Sequence, residues 1–143
     1  MLNNILLGLL GFTGLLFFLI FLIIILASVC YLFTLQNTLK KISVENRKIN
    51  PEKVWLLLIP IYNIYFNFIV VIRLSQSLKS EFEKRKIDIG NSQPGYNIGI
   101  AHCCFLLLSL FSFINEVGIV ANFFGTIFWV GYWISISRYS KLL

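Results

Sequence analysis

Within the apolar stretches of this 143-residue sequence the side chains able to do chemistry are few: His102, Glu116 and three cysteines, Cys30, Cys103 and Cys104. Ionisable groups are costly in hydrocarbon and usually functional there, so catalysis or proton transport has to begin with them. On one helix His102 and Glu116 would stand about 21 Å apart, too far for an acid–base pair. His102-Cys103-Cys104 has metal-ligating residue types, but successive helical side chains diverge by about 100°, so three in a row cannot converge on one ion. Glu116 beside Asn115 would suit the mouth of a cation path. No second carboxylate lies in the apolar stretches to relay a proton, and Glu116 reads as a solvated turn acid, His102 as a hydrogen-bonded packing residue. No catalytic residue, metal site or cofactor is expected, and the chain is not expected to be an enzyme. Gly8, Gly11 and Gly14 are not a phosphate loop: a three-residue spacing inside an apolar helix makes one stripe, where small residues permit close helix contact. Ala121 and Gly125 offer a second such face.

The elements that would carry these residues follow from composition. Hydrophobic residues make up 58% of the chain and charged residues 13%, with 14 Phe and a mean hydropathy of +0.84. Soluble domains are about a quarter charged, and disordered chains lack apolar residues, so both classes are excluded. The formal charge of +6 would suggest nucleic acid in a soluble protein. Here it follows from the collection of Lys and Arg at cytoplasmic flanks, and no nucleic-acid motif accompanies it. An odd number of cysteines inside apolar stretches is no disulfide framework.

Residues 5–35 form one run without a charge, longer than the roughly 20 residues a helix needs to cross a bilayer. With no basic leader and an overlong apolar core, it reads as a retained anchor rather than a cleaved signal. Leu26-Ala27-Ser28-Val29-Cys30 superficially resembles a lipoprotein box, with Val29 where a small residue is wanted. Two further transmembrane helices are expected over 98–114 and 119–137. The tight turn Asn115-Glu116-Val117-Gly118 between them forces antiparallel neighbours.

The segment 51–72 is ambiguous. Asn50-Pro51-Glu52 supplies an N-cap, a first-turn proline and an acid at a helix start. Pro60 then interrupts, pushing Ile59 out of helical dihedrals, with Asn63 and Asn67 following. Each arm reaches about half-way into the hydrocarbon. The basic residues decide how it is placed. Five of the twelve (Lys40, Lys41, Arg47, Lys48, Lys53) precede the apolar stretch 54–72, five follow it (Arg73, Lys79, Lys84, Arg85, Lys86), and Arg138 and Lys141 come last. A full span splits them five against seven. A hairpin that leaves on the side it entered puts all twelve on one side, as the positive-inside bias requires. The alternatives are a kinked full span whose Asn side chains bond neighbouring helices, and a shallow segment with Tyr62 and Tyr65 at headgroup level.

Over 73–89, Leu74, Leu78 and Phe82 repeat every four residues, and Glu81/Arg85 and Lys84/Asp88 are i,i+4 pairs. This reads as an amphipathic helix on the cytoplasmic surface, with Lys79, Lys84, Arg85 and Lys86 toward lipid headgroups, ended by a turn at Asn91-Ser92-Gln93-Pro94-Gly95. Trp55, Tyr96, Trp133 and Tyr139 fall at the same expected border. The expected fold is therefore all-α and integral to the membrane: three transmembrane helices plus a re-entrant or interfacial helical hairpin, with four transmembrane helices as the alternative, and one amphipathic helix.

From Trp55 through Pro60-Ile61-Tyr62-Asn63 to Arg73-Leu74-Ser75-Gln76-Ser77-Leu78, the chain resembles a group of small bacterial multi-pass membrane proteins of the domain-of-unknown-function type, over roughly residues 46–86. The resemblance implies a bacterial membrane location and carries over no catalytic residue. The expected role is an accessory or modulatory subunit of a larger inner-membrane complex, N-terminus outside and C-terminus cytoplasmic, with lipids and a larger membrane protein or further copies of itself as partners. Two rival readings are an oligomeric transporter using Pro60, Asn63 and Asn67, and a protein that binds anionic lipid.

Overall fold

Residues 2–89, 93–110 and 116–143 are described by a computed structural model. Among them the chain is all-α: α1 (Leu2–Lys41), a 3-10 helix (Pro51–Leu58), α2 (Pro60–Lys84), α3 (Tyr96–Ser109) and α4 (Glu116–Leu142), with no strand. It divides into two units, Met1–Phe33 and Thr34–Leu143.

The first unit is helical and apolar. From Leu9 to Leu26 the large hydrophobic side chains are all exposed, between 43% and 74%. Two of its hydroxyls return to the helix itself: Thr13 Oγ1 donates to the Leu10 carbonyl at 3.0 Å and Ser28 Oγ to that of Ile24 at 2.8 Å. Such bonds satisfy a hydroxyl in an apolar surrounding without a second helix. Among the described residues two helices are, by length and composition, long and apolar enough to cross a membrane, Gly8–Lys41 and Glu116–Leu142.

In the second unit, α1 continues six residues past the expected end at Leu35. Leu35, Leu39 and Ile42 are buried together with Thr38, an i, i+3, i+4, i+7 stripe that holds the helix together after the lipid-like run has ended. The chain then turns through Ser43–Arg47 and enters the 3-10 helix. Asn50 caps it by accepting the Glu52 N–H at 3.2 Å, and Pro51 is its first residue. The buried residues Pro51, Val54 and Leu57 recur every third position, the period that 3.0 residues per turn aligns on one face. That face packs on α2.

Ile59 is extended (φ −83°, ψ 112°) and Pro60 opens α2, as sterics before proline demand. The 3-10 helix and α2 thereby form a helical hairpin whose tip exposes Leu58, Ile59 and Ile61. No break separates the segments 51–72 and 73–89. The stretch read as a separate amphipathic helix over 73–89 is the C-terminal half of α2, because the buried stripe Val70, Val71, Leu74, Leu78 and Phe82 runs straight through the boundary. It also stops earlier, at Lys84. Lys86 adopts a left-handed conformation (φ 56°), and the N–H groups of Lys86 and Ile87 return to the carbonyls of Glu83 and Phe82, a Schellman closure made without glycine.

α3 and α4 are antiparallel neighbours. Gly95, at φ 73°, faces Ile136, and Gly99 faces Tyr132 and Val71. Deeper along the pair, Phe105 stacks on Phe124 and Phe128, at 5.8 and 5.2 Å between ring centroids. The span expected over 98–114 is helical as far as Ser109. Residues 111–115 lie outside the described set, and of the expected turn Asn115–Gly118, Glu116, Val117 and Gly118 form the first turn of α4 instead.

At Gly99 three helices approach closely: a Cβ there would lie 2.5 Å from Val71 Cγ1 and 2.8 Å from the Tyr132 ring. Both are stiff groups that cannot swing aside. Gly99→Ala is expected to lower stability by about 1–3 kcal/mol through overpacking, read as a drop in the melting temperature in detergent. Gly131→Ala, whose Cβ would meet Ile98 at an ordinary 3.6 Å, is expected to leave the transition in place or raise it.

Candidate functional site

The densest polar constellation is built around Glu81, on the inner face of α2 and 1% exposed. Its Oε1 accepts from Arg85 Nε at 2.8 Å and from the Ser43 hydroxyl at 2.9 Å. Its Oε2 accepts from Asn46 Nδ2 at 2.8 Å and from the Ser43 N–H at 3.1 Å. The turn after α1 exists to deliver these donors: the Asn46 and Arg47 N–H groups both close back on the Ser43 carbonyl, which aims Ser43 and Asn46 at α2. Burial pushes the Glu81 carboxyl up, and the bonds from Asn46, Arg85 and Ser43 outweigh it, holding it at about 2 against an ordinary 4.5.

Arg85 extends the cluster to two further chain segments. Its Nη2 donates to the Lys41 carbonyl at 3.2 Å, and its Nη1 donates to the Leu143 carbonyl. Lys41 Nζ in turn donates to the Ser140 carbonyl, and Arg47 Nη2 covers the Ile42 carbonyl at 2.9 Å. The C-terminal ends of α1, α2 and α4 are thus clasped together by guanidinium and ammonium groups on helix-end carbonyls, where a positive charge also meets the negative end of the helix dipole. Slightly further along, Trp133 Nε1 donates to Thr34 Oγ1 at 2.9 Å, and Ser77 Oγ accepts from the Lys48 N–H at 2.9 Å.

The four cations expected at headgroups part company here. Lys84 meets Glu45 at 3.0 Å, Arg85 is consumed in the clasp, and Lys79 stands 3.9 Å from Glu83. Lys86 is exposed just beyond the helix end. Gly8, Gly11 and Gly14 have open space around their Cα atoms, with nothing within 4 Å of an added Cβ. Ala121 and Gly125 are buried. The Gly125 face receives Phe105, whose Cβ would lie 3.3 Å from an added methyl, so within the chain this face packs against α3.

Pro60 sits at the hairpin tip, Asn63 is half-buried, and Asn67 is 5% exposed. Asn67 Nδ2 donates to Asn63 Oδ1 at 3.1 Å, while Asn67 Oδ1 is buried without a partner. His102 is buried and its Nδ1–H donates to the Gly125 carbonyl at 3.2 Å, joining α3 to α4. Cys103 turns inward and Cys104 outward, the divergence that consecutive helical positions impose. Among the described residues no three His, Cys, Asp or Glu side chains gather as metal ligands. Glu116 is exposed at the start of α4.

The sequence pattern paired Glu81 with Arg85 as surface neighbours and missed the other half of the site. Ser43-x-x-Asn46, two short polar side chains just after the basic end of α1, was the available signal. No family model matches the chain, and neither does any curated protein or solved structure.

Glu81→Gln keeps the shape and removes the charge that four donors converge on. It is expected to cost about 3 kcal/mol of stability, read by thermal unfolding in detergent. A group whose folded value lies below its unfolded one stabilises above the unfolded value and loses that contribution as protons are added. Unfolding of the wild type is accordingly expected to ease as pH falls from about 4.5 toward about 2, and the Gln variant is expected to show less of this dependence.

Proposed function

We propose that the protein is a multi-pass integral protein of a bacterial inner membrane that serves as a non-enzymatic accessory subunit of a larger membrane complex. The chain crosses three times, at α1, α3 and α4, and the 3-10/α2 hairpin enters from the cytoplasmic side and returns to it. The observation that carries the reading is the clasp. Arg85 touches the Lys41 carbonyl, and Lys84 touches Glu45, so the basic stretches before and after the hairpin meet at one end of the second unit. A full span between them would hold them a membrane apart. The apolar tip at Leu58–Ile61 and the exposed run of α1 are surfaces suited to hydrocarbon, and Gly8, Gly11 and Gly14 leave room there for a partner helix to approach closely.

A transport role is the second reading, favoured by one feature: Asn67 Oδ1, a buried acceptor without a donor in a segment broken by proline. Discontinuous helices of this kind build substrate sites in carriers. Flux through liposomes that falls on Asn67→Ala would support it, and unchanged flux would remove it.

Topology is tested with single cysteines at Glu45→Cys and Lys86→Cys in a background freed of the native three. Both are expected to react with a membrane-impermeant maleimide only from the cytoplasmic side, and labelling from opposite sides would overturn the hairpin. The accessory role is tested by purifying the native protein in mild detergent. A larger membrane protein is expected to co-elute in fixed ratio and to be lost on Gly11→Leu, whereas monomer alone counts against the role.

A further inference from the structure

The clasp sorts the basic residues into two sets. Lys41, Arg47, Lys84 and Arg85 are turned onto carbonyls or carboxylates. At the base of the hairpin stand Lys48 and Arg73, with Lys53 one turn up the 3-10 arm, all three exposed, and among the described residues no carboxylate lies within ion-pair distance of any of them. Arg73 Nη1 donates to the Lys48 carbonyl at 3.3 Å, which brings the guanidinium beside Lys48. Lys53 lies on the first turn of the 3-10 helix, its N–H bonded to the Asn50 carbonyl. Arg73 spends one of its five N–H donors on that contact, and the planar group keeps the rest for a tetrahedral oxyanion.

Depth points to the source of that anion. The 3-10 arm of eight residues is about 16 Å long at 2.0 Å per residue, and the α2 arm from Pro60 to Ile72 is about 20 Å. With the tip near the middle of a hydrocarbon core about 30 Å thick, the base falls at the level of the phosphates.

We propose that Lys48 and Arg73, with Lys53 reaching back along its flexible stem from the first turn of the 3-10 arm, form a seat for the phosphate of an anionic phospholipid headgroup at the base of the hairpin. The proposal rests on the membrane-inserted hairpin read above. It displaces the expected headgroup role from Lys84 and Arg85, which hold the fold, to cations the fold leaves available.

The test uses the full chain, purified in mild detergent with added phosphatidylglycerol or phosphatidylcholine, and bound lipid counted by native mass spectrometry. Wild type is expected to retain phosphatidylglycerol in preference. Lys48→Gln, Lys53→Gln and Arg73→Gln are each expected to weaken that preference on the order of fivefold, Arg73→Lys less than Arg73→Gln, with unchanged melting. Lys79→Gln with Lys86→Gln is expected to leave it intact. Full preference in the triple Gln variant, or an equal loss in the Lys79/Lys86 pair, overturns the seat, as does displacement of the lipid by millimolar inorganic phosphate, which would assign it to a soluble ligand. The Glu45→Cys and Lys86→Cys labelling separates the two readings. Labelling from opposite sides overturns the inserted hairpin itself, while same-side labelling with no phosphatidylglycerol preference overturns the seat alone.

Discussion

A carboxylate removed from water has to be compensated bond by bond, and Glu81 is compensated by four donors drawn from the far side of a turn and from its own helix. Everything at this end of the second unit is arranged around that requirement. Ser43 and Asn46 reach Glu81 only if α1 stops at Lys41 and the chain turns at once. Arg85 presents Nε to Glu81 only if α2 continues to its last turn, and in doing so brings its remaining donors onto the ends of α1 and α4. The exposed pair Lys84–Glu45 follows the same path, but exposed pairs contribute little. Geometry, more than charge count, is what the site enforces.

The uneven use of charge bears on role. Basic residues that face one another across a fold would repel unless each had an acceptor, and here backbone carbonyls at helix ends serve as acceptors as often as carboxylates do. A short chain can therefore keep many cations at one end with few acids to balance them. On the proposed topology this same surplus both orients the protein in the bilayer and leaves a subset of cations exposed.

Much of this was written in local patterns. Asn50-Pro51-Glu52 starts a helix, Pro60 forces Ile59 out of one, and Leu74, Leu78 and Phe82 are buried as their spacing requires. Other features were hidden for specific reasons. The three-residue period of Pro51, Val54 and Leu57 is hidden by Trp55, Leu56 and Leu58, which are equally apolar, so the 3-10 form could not be told from an α-helix. The passage from apolar to charged residues near Ile72 looked like a boundary, yet it changes only the outer face of α2. Lys86 carries a left-handed turn that glycine would have announced. Glu81 looked like any helix-surface acid, because the residues that bury it lie some 35 to 38 positions away.

That α2 is unbroken from Pro60 to Lys84 makes it a strut about 37 Å long, fixed at one end by Glu81 and Arg85 and flanked nearer the other by the 3-10 helix and α3. No hinge lies along it to absorb a displacement. On the proposed topology, a thinner or thicker surrounding layer acting on the tip would load the rod as one piece, and the push would reach the joined helix ends as torque rather than fade on the way.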